Sequence, residues 1–152
     1  MGNTYTQIHI QVVFAVKNRN ALIAKEWRER LYKYMCAIIN DQGHTTLAIG
    51  GTENHIHLLF GFCPAQSLSS LILRIKRETS EWINKEGLTK SLFRWQNGYG
   101  ASSYSKSQLP YVIRYILNQE KHHAKRTFRE EYLDCMKKNG IEYDEKYLLE
   151  DF

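Results

Sequence analysis

Cysteine is scarce in this chain: three among 152 residues, at positions 36, 63 and 135, with no Cys-x-x-Cys spacing. An odd, scattered set argues against a disulfide framework and a structural zinc site. It suits a reducing compartment, so the cytoplasm is the expected location. Long apolar runs are also missing. None approaches the ~20 residues that cross a bilayer, so no membrane span is expected. The opening Met1-Gly-Asn-Thr-Tyr-Thr-Gln7 lacks the basic-then-apolar pattern of a secretory leader. There are no internal repeats and no low-complexity stretches. What remains is 43% hydrophobic, enough for one domain with a single core. We divide it into a main body, residues 1–129, and a C-terminal helix with an acidic tail, residues 130–152, belonging to the same domain.

Acidic residues are sparse in the body. Residues 1–129 hold 18 Lys and Arg against 8 Asp and Glu, a balance of +10, whereas residues 130–152 hold 3 against 8, a balance of −5. A basic body favours a polyanionic partner through phosphate contacts and counterion release.

Periodicity supplies the elements. Gln7-Ile-His-Ile-Gln-Val-Val-Phe14 alternates, hence a strand with Ile8, Ile10, Val12 and Phe14 inward and His9 and Gln11 on the other face. Lys25–Asp41 has helical spacing and stops before Gly43. Thr45–Ile49 reads as a strand, and Gly50-Gly51 through Glu53-Asn54 as a hairpin connection to the strand His55–Phe62. Ser67 caps a helix whose stripe is Leu68, Leu71, Ile72, Ile75, Thr79, Trp82 and Ile83. Phe93–Gly100 with Ser102–Ser105 is expected to form a fourth strand with a glycine bend. A last helix starts near Gln108, tolerates Pro110 in its first turn and runs to Lys125; a further helical stretch covers Phe128–Lys138. This order favours an α+β, ferredoxin-like (RRM-like) fold: a four-stranded antiparallel sheet with two helices on one face. The first and third strands are then central neighbours, which sets His55 and His57 on the open face next to His9 and Gln11.

Within the third strand, His55-Ile56-His57 projects two imidazoles to one face, because side chains i and i+2 of a strand share a side. Ile56, Leu58 and Phe60 point into the core. Two neutral imidazoles side by side form half of a divalent-metal site, although a pair on a solvated sheet face would read the same. On the last helix Tyr115 and Gln119 stand one above the other at i and i+4. Tyr111 extends that row, and His122 and His123 continue it. Val112, Ile113, Ile116 and Leu117 are left for packing.

Taken together, His55-Ile-His57, Phe93-x-Trp-Gln-x-Gly-Tyr99, Tyr115-x-x-x-Gln119 and Glu120-x-His-His123 resemble the single-tyrosine HUH-type transposases of the insertion-sequence-200-like family, over about residues 5–128. The resemblance implies that the tyrosine-bearing helix covers the open sheet face. It further implies that His55, His57 and Gln119 bind Mg²⁺ or Mn²⁺ and that Tyr115 is the nucleophile. The implied activity is transposition: cleavage and rejoining of single-stranded DNA hairpins at element ends through a covalent 5′-phosphotyrosine. The implied assembly is a homodimer with composite active sites.

Rival assignments exist for several of these roles. Glu53 could replace Gln119 as third ligand, His122 or His123 could reach the metal or a phosphate, and Tyr111 could be the nucleophile. Candidate DNA contacts are Lys17, Arg19, Arg74, Arg77, Arg94, Lys106, Arg114 and Lys121, with Lys76, Lys125 and Arg126 as further basic residues. The alternative function is a non-catalytic or domesticated single-stranded nucleic-acid-binding module of the same fold. A replication-initiating tyrosine endonuclease is disfavoured by the short chain without a helicase region.

Overall fold

Alternation, helical spacing and caps fold this chain as a layered sheet. The structure is a computed structural model that describes residues 4–119. Strand β1 (His9–Ala15) leads to helix α1 (Lys25–Asp41), then β2 (Thr45–Gly51), β3 (His55–Gly61), α2 (Leu68–Glu86), β4 (Gly100–Tyr104), a 3₁₀ turn over Lys106–Gln108, and α3 (Leu109–Leu117). The sheet order is β2-β3-β1-β4, with every pairing antiparallel.

Helix α2 is capped at both ends. The Ser67 hydroxyl accepts from the Ser70 N–H, and Gly87 closes the C-terminus in the left-handed conformation, φ 63°. Its inner stripe, Leu71, Ile72, Ile75 and Ile83, joins Leu31, Met35 and Ile39 of α1 over Val12, Phe14, Ile56, Leu58 and Phe60 of the central strands. The opposite sheet face carries a second, smaller cluster in which Val112 and Ile116 of α3 pack on Ala48 and Leu59. The tyrosine-bearing helix thus covers the face left open by α1 and α2.

Three local expectations change. Phe93–Gly98 is not a strand. Its backbone is held by an isolated bridge between Val16 and Trp95 and by side chains of α2. Asn84 pairs with both polar groups of Phe93, at 2.8 and 3.1 Å, and the Lys76 ammonium donates to the carbonyls of Gln96 and Gly98. Trp95 meets Phe14 and Phe93 edge-on, at 4.7 and 4.8 Å between centroids, and its indole N–H donates to Thr79 Oγ1 at 3.0 Å. The segment closes the end of the core, and only β4 continues the sheet.

Second, Asn118 (φ −104°, ψ 20°) interrupts the last helix after Leu117, and Gln119 is helical again. Leu117 is 63% exposed and does not pack as expected, and Tyr111, one turn before Tyr115, is 76% exposed. Third, β2 extends through Gly50 and Gly51, and the turn to β3 is Thr52–Asn54. The expected helical continuation to Lys125 and the stretch Phe128–Lys138 lie outside the described residues.

Candidate active site

The site is built on the centre of the sheet. His55 and His57 occupy alternate positions of β3 and are 0% and 5% exposed; their rings are 5.0 Å apart between centroids. Burial of paired imidazoles is tolerable only with partners, and each ring has one at Nδ1. His57 Nδ1–H donates to Gln11 Oε1 at 2.9 Å, and the Gln11 amide in turn donates to the Tyr104 hydroxyl at 3.1 Å. Val13 of β1 pairs with His57, so Gln11, two residues earlier, shares its face. His55 Nδ1 faces Asn54 Oδ1 at 2.8 Å and Thr52 Oγ1 at 2.9 Å, both in the turn before β3. The Asn54 oxygen can only accept, which makes Nδ1 the N–H donor and leaves the lone pair of His55 on Nε2.

That lone pair faces the third member. Gln119 is 1% exposed, and its Oε1 lies 3.1 Å from His55 Nε2, while its own amide donates to the Tyr115 carbonyl at 3.3 Å. Two electron-pair donors at this separation suit a shared cation. Adjacent ligands about 2.1 Å from an octahedral ion are themselves roughly 3.0 Å apart. Two imidazoles and an amide oxygen, with no carboxylate among them, make a neutral donor set. Among the described residues no three His, Cys, Asp or Glu form a cluster that could hold a metal, and the Gln119 amide is the third donor beside the two imidazoles there. Orientation of each imidazole through its other nitrogen is the usual second-sphere arrangement of a metal-binding histidine.

Tyr115 stands edge-on to His57, 5.8 Å between ring centroids at 81°. The four residues singled out by motif, His55, His57, Tyr115 and Gln119, therefore meet at one place, within a single chain. Glu53 is exposed in the turn, where its carbonyl accepts from the Ile23 N–H. His9 pairs across from Gly61, away from the two imidazoles. Tyr99 packs against the main core. His122 and His123 lie outside the described residues.

The sequence placed Gln11 beside the two imidazoles, as observed, without assigning it a role; it also placed His9 there, and it missed Thr52 and Asn54. Gln11 was findable in principle, since it precedes the residue opposite His57, but only once the β1–β3 register is known.

The basic candidates separate into two groups. Lys17 and Arg94 are exposed and adjacent, joined by a 2.9 Å hydrogen bond from the Lys17 N–H to the Arg94 carbonyl, at the end of the sheet where Ala15 pairs with His55. Arg19 follows in the next turn; Lys106 precedes α3, and Arg114 on α3 stacks over the Tyr111 ring at 5.2 Å. Arg74 and Arg77 lie on α2, across the sheet from the site, and Arg74 is ion-paired with Glu78 and with Asp41. Lys76 sits over the Phe14 ring at 5.3 Å, and burial lowers its pKa to about 8. Lys121, Lys125 and Arg126 lie outside the described residues.

Comparison with known proteins agrees with this fold. A crystal structure of a candidate transposase from Deinococcus radiodurans R1 superposes with a TM-score of 0.61 at 19% identity, over 78% of this chain and 96% of the other. A REP-associated tyrosine transposase bound to a REP hairpin superposes with a TM-score of 0.55 at 15% identity, over 76% and 68%. At such identities these two likenesses speak for the fold. None of the curated proteins matches. The family model described as "Transposase IS200 like" matches residues 4–119, a span that contains all four convergent residues. On that match, the chain belongs to the IS200-like transposase family.

Proposed function

We propose that this transposase cleaves and rejoins single-stranded DNA through Tyr115, with His55, His57 and Gln119 holding Mg²⁺ or Mn²⁺. The observation that carries the reading is the convergence of one phenol, two oriented imidazoles and an amide oxygen on one patch of sheet. When bound, the ion would polarise the scissile phosphate and ease departure of the 3′ oxygen. The neutral donor set leaves the ion's charge available to the phosphate.

An ordinary phenol titrates near about 10, and it attacks as phenolate. The Tyr115 oxygen forms a bond to phosphorus, the bond from phosphorus to the 3′ oxygen breaks, and the phenol's proton finishes on the released 3′-OH by way of solvent. The linkage keeps the energy of the phosphodiester. A 3′-OH can therefore reverse the step, expelling Tyr115 and sealing DNA without a nucleotide cofactor. Gln11, Asn54 and Thr52 hold the imidazole tautomers throughout. Lys17 and Arg94 offer cationic contacts for a strand entering at the His55 end of the sheet.

The relative bound to a REP hairpin supports a hairpin-bearing substrate for this chain too. The family resemblance also implies a homodimer, which sedimentation tests separately.

The enzymatic reading is tested with labelled single-stranded hairpin DNA and Mn²⁺. A denaturation-resistant adduct is expected, retained in Tyr111→Phe and absent in Tyr115→Phe or with chelator. Loss of the adduct in Tyr111→Phe instead would reassign the nucleophile. Binding with no adduct, across metals and flanking sequences, would leave a nucleic-acid-binding module.

A further inference from the structure

We infer that Gly50 is a positioning residue whose missing side chain is the seat of the tyrosine helix, fixing Tyr115 and Gln119 against the imidazoles. Gly50 pairs across the strands with His57, so it lies beside that imidazole on the same face of the sheet. The carbonyl of Ile116 descends onto its backbone: a Cβ built at Gly50 would lie 2.2 Å from Ile116 O, 3.0 Å from its carbonyl carbon and 3.1 Å from its Cγ2. The glycine is required by this approach, since Gly50 is not among the positive-φ residues. Ile116 is flanked by Tyr115, whose ring meets His57, and is three residues from Gln119, whose amide meets His55. Lifting the Ile116 carbonyl lifts both.

A β-bulge brings Gly50 to this place. The β2–β3 register shifts between Thr46 and Ala48, leaving Leu47 unpaired. Without the extra residue, Ile49 would stand opposite His57 and put a branched side chain where the helix docks. With it, Ile49 turns to the main core and bare backbone faces α3.

The inference rests on the metal reading only for Gln119, so its test has two arms. In hydrogen exchange, Gly50→Val is expected to accelerate the α3 amides over 112–117 at least tenfold, while those of β1 and β3 stay protected. In Mn²⁺ titration followed by electron paramagnetic resonance, Gly50→Val and Gln119→Ala are expected to weaken binding by a similar factor, roughly 10–100-fold. The double variant should be no weaker than either single one, because Gly50 acts through Gln119. Gly50→Ala gives a smaller effect of the same pattern if the valine variant does not fold. Unchanged exchange of α3 overturns the inference, and so do effects of Gly50→Val and Gln119→Ala that multiply. If the unsubstituted protein binds no Mn²⁺, the metal reading fails while the exchange arm still decides the seat.

Discussion

At the scale of single residues, amides set the chemistry of this site. Gln11 accepts from His57 Nδ1–H, Asn54 accepts from His55 Nδ1–H, and Gln119 supplies an oxygen facing His55 Nε2. These three partners are neutral amides, which orient the imidazoles without a charge of their own. Gln11→Leu is expected to raise the Mn²⁺ dissociation constant by roughly 10–100-fold, the usual cost of removing an outer partner. A titration showing unchanged affinity would mean that His57 needs no such anchor. The pairing of His55 with His57 on one face was legible, because strand alternation fixes it locally. The expected topology also set Gln11 beside them, but the specific Gln11–His57 contact needs the register, since 46 residues separate the two. Trp95 makes a comparable case in the core. Its indole is wedged between Phe14 and Phe93 and bonded to Thr79, and Trp95→Ala should cost about 3–5 kcal/mol in denaturant unfolding.

At the scale of elements, helices and caps followed from sequence, and sheet irregularities did not. The α1 bounds and the Ser67 cap came from spacing and side-chain chemistry that act within a few residues. Phe93–Gly98 carries two aromatics that suit a strand, but beyond a single bridge to Val16 its backbone is held by the side chains of Asn84 and Lys76, and Gly98 (φ 84°) turns it away from extension. Propensity gave way to tertiary partners. The bulge at Leu47 leaves no mark in composition at all.

The latch from α2 to this segment has a pH signature. Burial lowers the Lys76 pKa to about 8 from 10.5, so between those values the unfolded chain binds more protons than the folded one. Stability from this group therefore rises with pH across that window, and the penalty for burying the charge is fully present below it. The difference in melting temperature between wild type and Lys76→Met should shift in favour of wild type from pH 8 to pH 10. A difference flat with pH would contradict the assignment.

At the scale of the molecule, α1 and α2 take one sheet face and α3 the other, so the proposed site lies between the sheet and α3. The exposed pair Lys17 and Arg94 lies at the sheet end next to His55, whereas Arg74 is committed to Glu78 and Asp41 behind the sheet. If the strand enters at that end, single-strand affinity falls with salt, and Lys17→Ala with Arg94→Ala should reduce the log–log slope by about 1.4 (roughly 0.7 per phosphate contact). Arg74→Ala should leave the slope unchanged. Filter binding between low and moderate salt separates the two.

The most direct measurement is peptide mapping, by mass spectrometry, of the protein after reaction with hairpin single-stranded DNA and Mn²⁺. A 5′-phosphorylated nucleotide on Tyr115 and a free 3′-OH on the released strand are expected. A nucleotide on any other side chain, or cut strands with 5′-phosphate ends and no covalent link, would contradict the proposed reaction.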